Sequence, residues 1–195
     1  MRLFVALPVP SAIARECARV AAALPAEPVK RVSPELMHLT LAFIGWAPDE
    51  TAAIAGRALR NAFADTGPIA CRLGAVGAFP TANRPRVIWV GLAEGEEGVR
   101  AAAVAAREAL RAANVSFDDK PPVAHLTVAR VRDEAPRSAR DAIADVIRGS
   151  RVEPLRFEIG EAILFESRLA RSGPTYIPLE RIPLPTRLPS ARPER

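Results

Sequence analysis

Both histidines of this 195-residue chain stand in one and the same setting: His38-Leu39-Thr40-Leu41-Ala42 and His125-Leu126-Thr127-Val128-Ala129. With ordinary composition a given histidine is followed by Leu-Thr on the order of a few times in a thousand. Coincidence is therefore a poor account of a pair in which every histidine of the chain takes part. The repeat constrains the fold in two ways. Each copy alternates polar His and Thr with apolar residues and sits in a short apolar segment, Met37–Ile44 and Val123–Val131, so each predicts a strand. Around each copy the order strand, helix, strand, helix recurs, which predicts an internal duplication and two related lobes.

On a strand, side chains alternate between faces. His38 and Thr40 then share one face and Leu39 and Leu41 the other; His125 and Thr127 oppose Leu126 and Val128 in the same way. Each motif thus offers an apolar face to a core and a His/Thr pair to solvent or a cleft. If the two strands lie together, four polar groups converge. Imidazole titrates near pH 6.5, so one ring can serve as base while the other serves as acid. Threonine hydroxyls donate hydrogen bonds to phosphoryl oxygens and stabilise charge that develops there. Opening a cyclic phosphodiester needs these parts: a base for water, an acid for the leaving oxygen, and donors for the non-bridging oxygens. A lone strand histidine is more often structural; the matched pair is what carries the reading. Two histidines with no Asp or Glu in either motif fall short of a catalytic zinc centre, which takes three protein ligands, so no metal and no other cofactor is expected.

The remaining segments supply the frame. Strands are predicted at Leu3–Leu7, Met37–Ile44, Arg72–Phe79, Arg86–Leu92, Val123–Val131, Phe157–Glu166 and Thr175–Leu179. Helices are predicted from Ser11 as N-cap to Leu24, from Asp49 as cap to about Ala64, from Val99 to Ala113, and around Ser138–Ile147. Residues 1–181 read as a single bilobal domain, and 182–195, rich in Pro and Arg, as a loosely docked or disordered tail. Formal net charge is +5, with Lys30 and Lys120 the only lysines. Arginine forks suit phosphate, although genome composition enriches arginine equally well. No apolar run approaches the ~20 residues of a membrane-spanning helix. The start MRLFVALPVP does not read as a signal peptide, and Cys17 and Cys71 are too few for a disulfide framework. A cytoplasmic, monomeric protein with no membrane association is the expectation.

The paired motifs resemble those of the two-histidine phosphoesterases, and the closer match is the RNA 2′,3′-cyclic phosphodiesterase family, historically called 2′-5′ RNA ligase. The resemblance runs from Arg2 to about Leu179. It includes Arg2-Leu-Phe-Val-Ala6, His38-Leu-Thr-Leu-Ala-Phe-Ile-Gly45, Gly77-Ala-Phe-Pro80, Arg84-Pro-Arg-Val-Ile-Trp-Val-Gly91, His125-Leu-Thr-Val-Ala-Arg130, and Glu166-Ser167 through Gly173-Pro-Thr-Tyr176. It implies an α+β fold with two antiparallel β-sheets framing a central cleft and helices on the outside. It implies RNA with a cyclic phosphate terminus as substrate, a 2′-phosphate product, His38 as proton donor to the leaving oxygen and His125 as acceptor from water. Thr40 and Thr127 would hold phosphate, and Arg130 matches an arginine associated with substrate. Strand parity alone faces Arg130 away from the histidines unless a bulge intervenes. Two departures concern substrate preference: Val32 stands where relatives often have an aromatic residue, and Ala124 where they often have proline. Phe43 and Trp89 are aromatic candidates for the cleft, with a core role the better expectation for each. The competing readings keep the site but act on small cyclic nucleotides, join 2′-5′ RNA ends reversibly, or bind RNA without catalysis.

Overall fold

The computed structural model describes residues 1–171 and 173–185. Its elements run β1 (Arg2–Pro8), α1 (Ser11–Ala22), β2 (Val29–Arg31), a 3-10 turn (Pro34–Leu36), β3 (His38–Trp46), α2 (Glu50–Phe63), β4 (Ile69–Thr81) and β5 (Arg84–Glu94). Then follow α3 (Glu96–Ala112), β6 (His125–Val131), α4 (Arg137–Gly149), β7 (Arg156–Ile159), β8 (Glu161–Ala170) and β9 (Gly173–Pro183). All the described strand pairs are antiparallel, and the order is β7-β4-β5-β6-β3-β1-β8-β9, with β2 also on β6. The path is continuous, yet β3 and β6 meet through one pair only, Leu39↔Leu126. Two sheets, β7-β4-β5-β6 and β3-β1-β8-β9, therefore come together at a narrow seam. Each lobe contributes its innermost strand to that seam, and each of those strands opens on a histidine.

So few ladder bonds cannot hold the seam; the apolar face beneath it does. Leu39, Leu126 and Val128 are 0% exposed and Leu41 1%. Full burial of a leucine side chain contributes about 1.5–3 kcal/mol. The helices complete this core. In α1, Ile13, Cys17, Val20 and Ala21 recur at helical spacing and are buried, and in α3 so do Val99, Ala103, Ala106 and Leu110. Packing of α3 on β3 and α1 on β6 leaves the opposite face of the seam open.

Several boundaries differ from the sequence expectation for identifiable reasons. Pro10, not Ser11, is the N-cap of α1: its carbonyl accepts from the amides of Ile13 and Ala14, and a proline there has no amide to satisfy. Asp49 does precede α2, but its side chain makes no capping bond. The predicted strand Phe157–Glu166 is two strands that part at Gly160; β7 joins β4 at one edge and β8 joins β1 in the other lobe. Three-residue β2 lies in a stretch for which the sequence predicts no strand. Of the segment 182–195 read as a tail, the first residues are docked: β9 runs to Pro183, and Ile182 and Leu184 are buried. Residues 186–195 lie outside the described residues.

Candidate active site

The open face of the seam holds a cleft of about 690 Å³, and His38, Thr40, His125, Thr127 and Arg130 all line it. The antiparallel pair Leu39↔Leu126 is the centre of a local twofold. Extended one step either side, the antiparallel register puts His38 across from Thr127 and Thr40 across from His125. The four polar groups that the sequence brings together on paper are brought together in space.

Strand irregularities decide what joins them. On β1, Pro8, Ala6 and Phe4 are separated by two residues each and so share a face. They pair with His38, Thr40 and Phe43 respectively, with Leu41 as an extra residue between Thr40 and Ala42. On β5, Gly91, Trp89 and Val87 likewise share a face, and they pair with His125, Thr127 and Arg130, with Val128 the extra residue. The same bulge occurs at the same place in both motifs. It reverses parity, so the fifth residue after each histidine swings onto the cleft face. Arg130 is thereby turned towards the histidines, against plain alternation. Phe43, expected in the core, is its counterpart and lines the cleft wall instead.

Each imidazole is oriented from behind. Nδ1 of His38 lies 2.7 Å from the Leu36 carbonyl oxygen, and Nδ1 of His125 lies 2.7 Å from that of Val123. A carbonyl only accepts, so Nδ1 carries the hydrogen in both rings. Nε2 is left as the exchangeable position, a lone pair when the ring is neutral and a donor when it is protonated. Aromatic side chains fix the ring planes. Phe4 lies 5.0 Å and Tyr176 5.4 Å from the His38 ring, the latter edge-on. Phe79 meets His125 edge-on at 5.0 Å. Trp89 is half-buried behind His125, with its indole against Gly77, where a Cβ would fall 2.3 Å from the ring. Glycine at 77 is what lets the indole lie flat there. Among the described residues, Trp89 Nε1 is the one buried side-chain polar atom without a partner.

The cleft is electropositive. Arg2, Lys30, Arg31 and Arg130 line it, and among the described residues no carboxylate does. Arg31 is pinned with its Nε 2.8 Å from the Ala21 carbonyl oxygen. Ser167, 5% exposed, and Tyr176 complete the wall on the β8–β9 side. Sequence reasoning singles out neither as a site residue; the signal was present in Tyr176 as the only tyrosine of the chain, within Gly173-Pro174-Thr175-Tyr176. Among the described residues no three His, Cys, Asp or Glu side chains come together to hold a metal ion. Cys17 and Cys71 are free and buried, and burial pushes their thiols up to about 12 and about 11.

The family model of the 2′-5′ RNA ligase superfamily matches residues 7–170. The chain belongs to that superfamily. An Archaeoglobus fulgidus protein named RNA 2′,3′-cyclic phosphodiesterase is 34% identical to it, over 90% of this chain and 96% of the relative. A Thermus thermophilus protein of the same name is 33% identical, over 94% of this chain and 90% of its own. The crystal structure of a Thermus thermophilus protein, TT0787, matches with a TM-score of 0.72 at 29% identity, covering 94% of this chain and 98% of that one. In this superfamily member the matched span contains both motifs, Phe43, Arg130 and Ser167. Arg2 and Phe4 precede it, and Tyr176 follows it.

Burial lowers the pKa of both imidazoles. His38 is brought down to about 4, by desolvation first, with the charges of His125 and Arg130 adding to it and the Leu36 carbonyl opposing it. His125 is lowered by desolvation and by Arg130, against the Val123 carbonyl. A histidine whose folded pKa lies below its unfolded value binds fewer protons when folded, so stability is full above pH ~6.5 and falls as pH drops towards the folded pKa. For His38, one edge of which stays open to the cleft, the loss is about 2 kcal/mol. Thermal melts of the wild type and of His38→Asn between pH 7 and 4.5 are expected to converge or cross as the wild type alone loses this increment. Parallel curves would show that His38 is not held neutral by the fold.

Proposed function

We propose that this protein hydrolyses RNA 2′,3′-cyclic phosphate ends to 2′-phosphates without a metal or cofactor, with His38 and His125 exchanging protons through their Nε2 atoms. The observation that carries the reading is the local twofold. Two imidazoles with the same Nδ1 anchor, and two threonines set against them, face one electropositive cleft. The names borne by the Archaeoglobus and Thermus relatives support RNA with a cyclic phosphate as the substrate.

In the free protein both rings are neutral at pH 7, and the substrate phosphate brings the negative charge that favours one imidazolium. The His125 anchor is exposed and the His38 anchor part-buried. As the family resemblance implies, His125 takes a proton from water as the water oxygen attacks phosphorus. His38, enclosed by Phe4 and Tyr176, delivers its Nε2 proton to the 3′-oxygen as the bond from phosphorus to that oxygen breaks. For this role His38 must carry a proton on Nε2, which the negative charge of the bound phosphate favours against the lowering by burial. Hydroxyls of Thr40 and Thr127 donate to the non-bridging oxygens, and Arg130 compensates their charge. The 2′-oxygen keeps its phosphate, and proton exchange with solvent resets the pair. The same reading takes residues 1–181 with the short continuation of β9 as one bilobal unit, acting as a monomer in the cytoplasm. Free, buried Cys17 and Cys71 suit that compartment, and no helix among the described residues is long and apolar enough to cross a membrane.

The test is the identity of the product. A short RNA ending in a 2′,3′-cyclic phosphate, incubated with the protein, is expected to yield a terminal 2′-phosphate. A 3′-phosphate would reverse the assignment of the leaving oxygen. No turnover between pH 5 and 9 would overturn the phosphodiesterase reading.

A further inference from the structure

Beyond the histidines, β3 continues its cleft face past the cleft itself. Trp46 pairs with Arg2, and a second extra residue, Ile44, stands between Phe43 and Gly45. Arg2 lies on the same face of β1 as Phe4, Ala6 and Pro8, so Trp46 shares a face with His38, Thr40 and Phe43. The two bulges thus bring Phe43 onto the face that His38, Thr40 and Trp46 already share by alternation, and the four side chains stand in line. Successive positions are separated by two residues of β1, about 7 Å, close to one nucleotide of an extended strand.

The chemistry along this line is graded. Next to the His/Thr pair stands Phe43, with the Arg2 guanidinium 4.7 Å above its ring centre. That cation–π contact holds the guanidinium over the Phe43 ring at the cleft wall. Trp46 follows, 79% exposed and the most exposed large apolar side chain among the described residues. An indole so open has no role in the core, and its place beside a stacked arginine is the pattern by which proteins track single-stranded nucleic acid: cations for the backbone, aromatic faces for the bases.

We infer that β3 carries a binding track for the RNA strand 5′ of the cyclic phosphate, with Arg2 meeting the first upstream phosphodiester and Trp46 stacking the base beyond it. The inference rests on the phosphodiesterase reading for its direction, because the cyclic end is what the His38–His125 pair holds. It deepens that reading by making an oligonucleotide, rather than a single cyclic nucleotide, the preferred substrate. Continuity with the cleft and complementarity of Arg2 to phosphate argue for a nucleic acid here rather than a protein partner.

Trp46 is exposed, so Trp46→Ala removes no packing from the core. Two substrates separate the possibilities: a tetranucleotide ending in a 2′,3′-cyclic phosphate and a 2′,3′-cyclic mononucleotide. The ratio of kcat/KM for the tetranucleotide over the mononucleotide is expected to drop about tenfold in Trp46→Ala, through KM, and to recover largely in Trp46→Phe. An unchanged ratio overturns the track. A second measurement stands free of turnover: the Kd for a tetranucleotide ending in a 2′-phosphate is expected to rise by a similar factor in Trp46→Ala. Equal affinity in the wild type and the variant overturns the track as well. Failure of the wild type to turn over either substrate, with binding still dependent on Trp46, would strike at the phosphodiesterase reading and leave the track standing.

Discussion

His125→Ala is expected to lower kcat on a cyclic-phosphate RNA by about 10³-fold, within the span that positioned acid–base groups supply, and His38→Ala by a similar factor. The local twofold sets this symmetry: each ring is anchored at Nδ1 by a carbonyl two residues earlier and presents Nε2 to the same cleft. KM should change far less, since the proposed mechanism gives the holding of phosphate to Thr40, Thr127 and Arg130. The double variant gives the sharper form of the prediction. Acid and base act on the same phosphate in one step, so their losses do not multiply. His38→Ala/His125→Ala should therefore be no more than about tenfold slower than either single variant. Multiplied losses, near 10⁶-fold, would mean that the two histidines serve separate steps. Steady-state kinetics with circular dichroism as a check on folding would decide the matter.

Thr40→Val and Thr127→Val should each lower kcat by about 10²–10³-fold, the range seen when one donor to a developing oxyanion is removed. Valine keeps the shape of threonine and deletes only the hydroxyl, so both variants should fold. Thr→Ser at either position keeps the donor and should retain most of the activity. Extension of the Leu39↔Leu126 register puts Thr40 across from His125 and Thr127 across from His38, and all four line one cleft. Each variant thus reports on a contact made by one lobe to the phosphate handled by both. If either valine variant kept kcat and raised only KM, its hydroxyl would bind ground state and transition state alike.

The histidine–threonine pairs were legible in the sequence because their signal is local. Two residues of strand periodicity put His and Thr on one face, and the rarity of the repeat does the rest. Arg130 and Phe43 were harder for a single physical reason. Parity along a strand holds only while the strand is regular, and the bulges at Leu41 and Val128 show only in the pairing of β3 with β1 and of β6 with β5. Family resemblance points to Arg130, whereas alternation alone sends Phe43 to the core. For Trp46 the two insertions cancel, so alternation from His38 already places it on the cleft face. The segment Phe157–Glu166 reads as one strand; the chain parts at Gly160 and its two halves pair in different lobes, a decision made by tertiary pairing. The end of β9 is hidden by Pro183, which reads as a break, whereas Ile182 and Leu184 on either side of it are buried.

The central claim is that two imidazoles alone, without a metal, move the protons. The most direct measurement is turnover of a short RNA ending in a 2′,3′-cyclic phosphate in excess EDTA, for the wild type, His38→Ala and His125→Ala. The account predicts full wild-type turnover in the chelator and almost none in either variant. Loss of wild-type turnover in EDTA with recovery on adding a divalent ion, or a wild-type rate in either histidine variant, would contradict it.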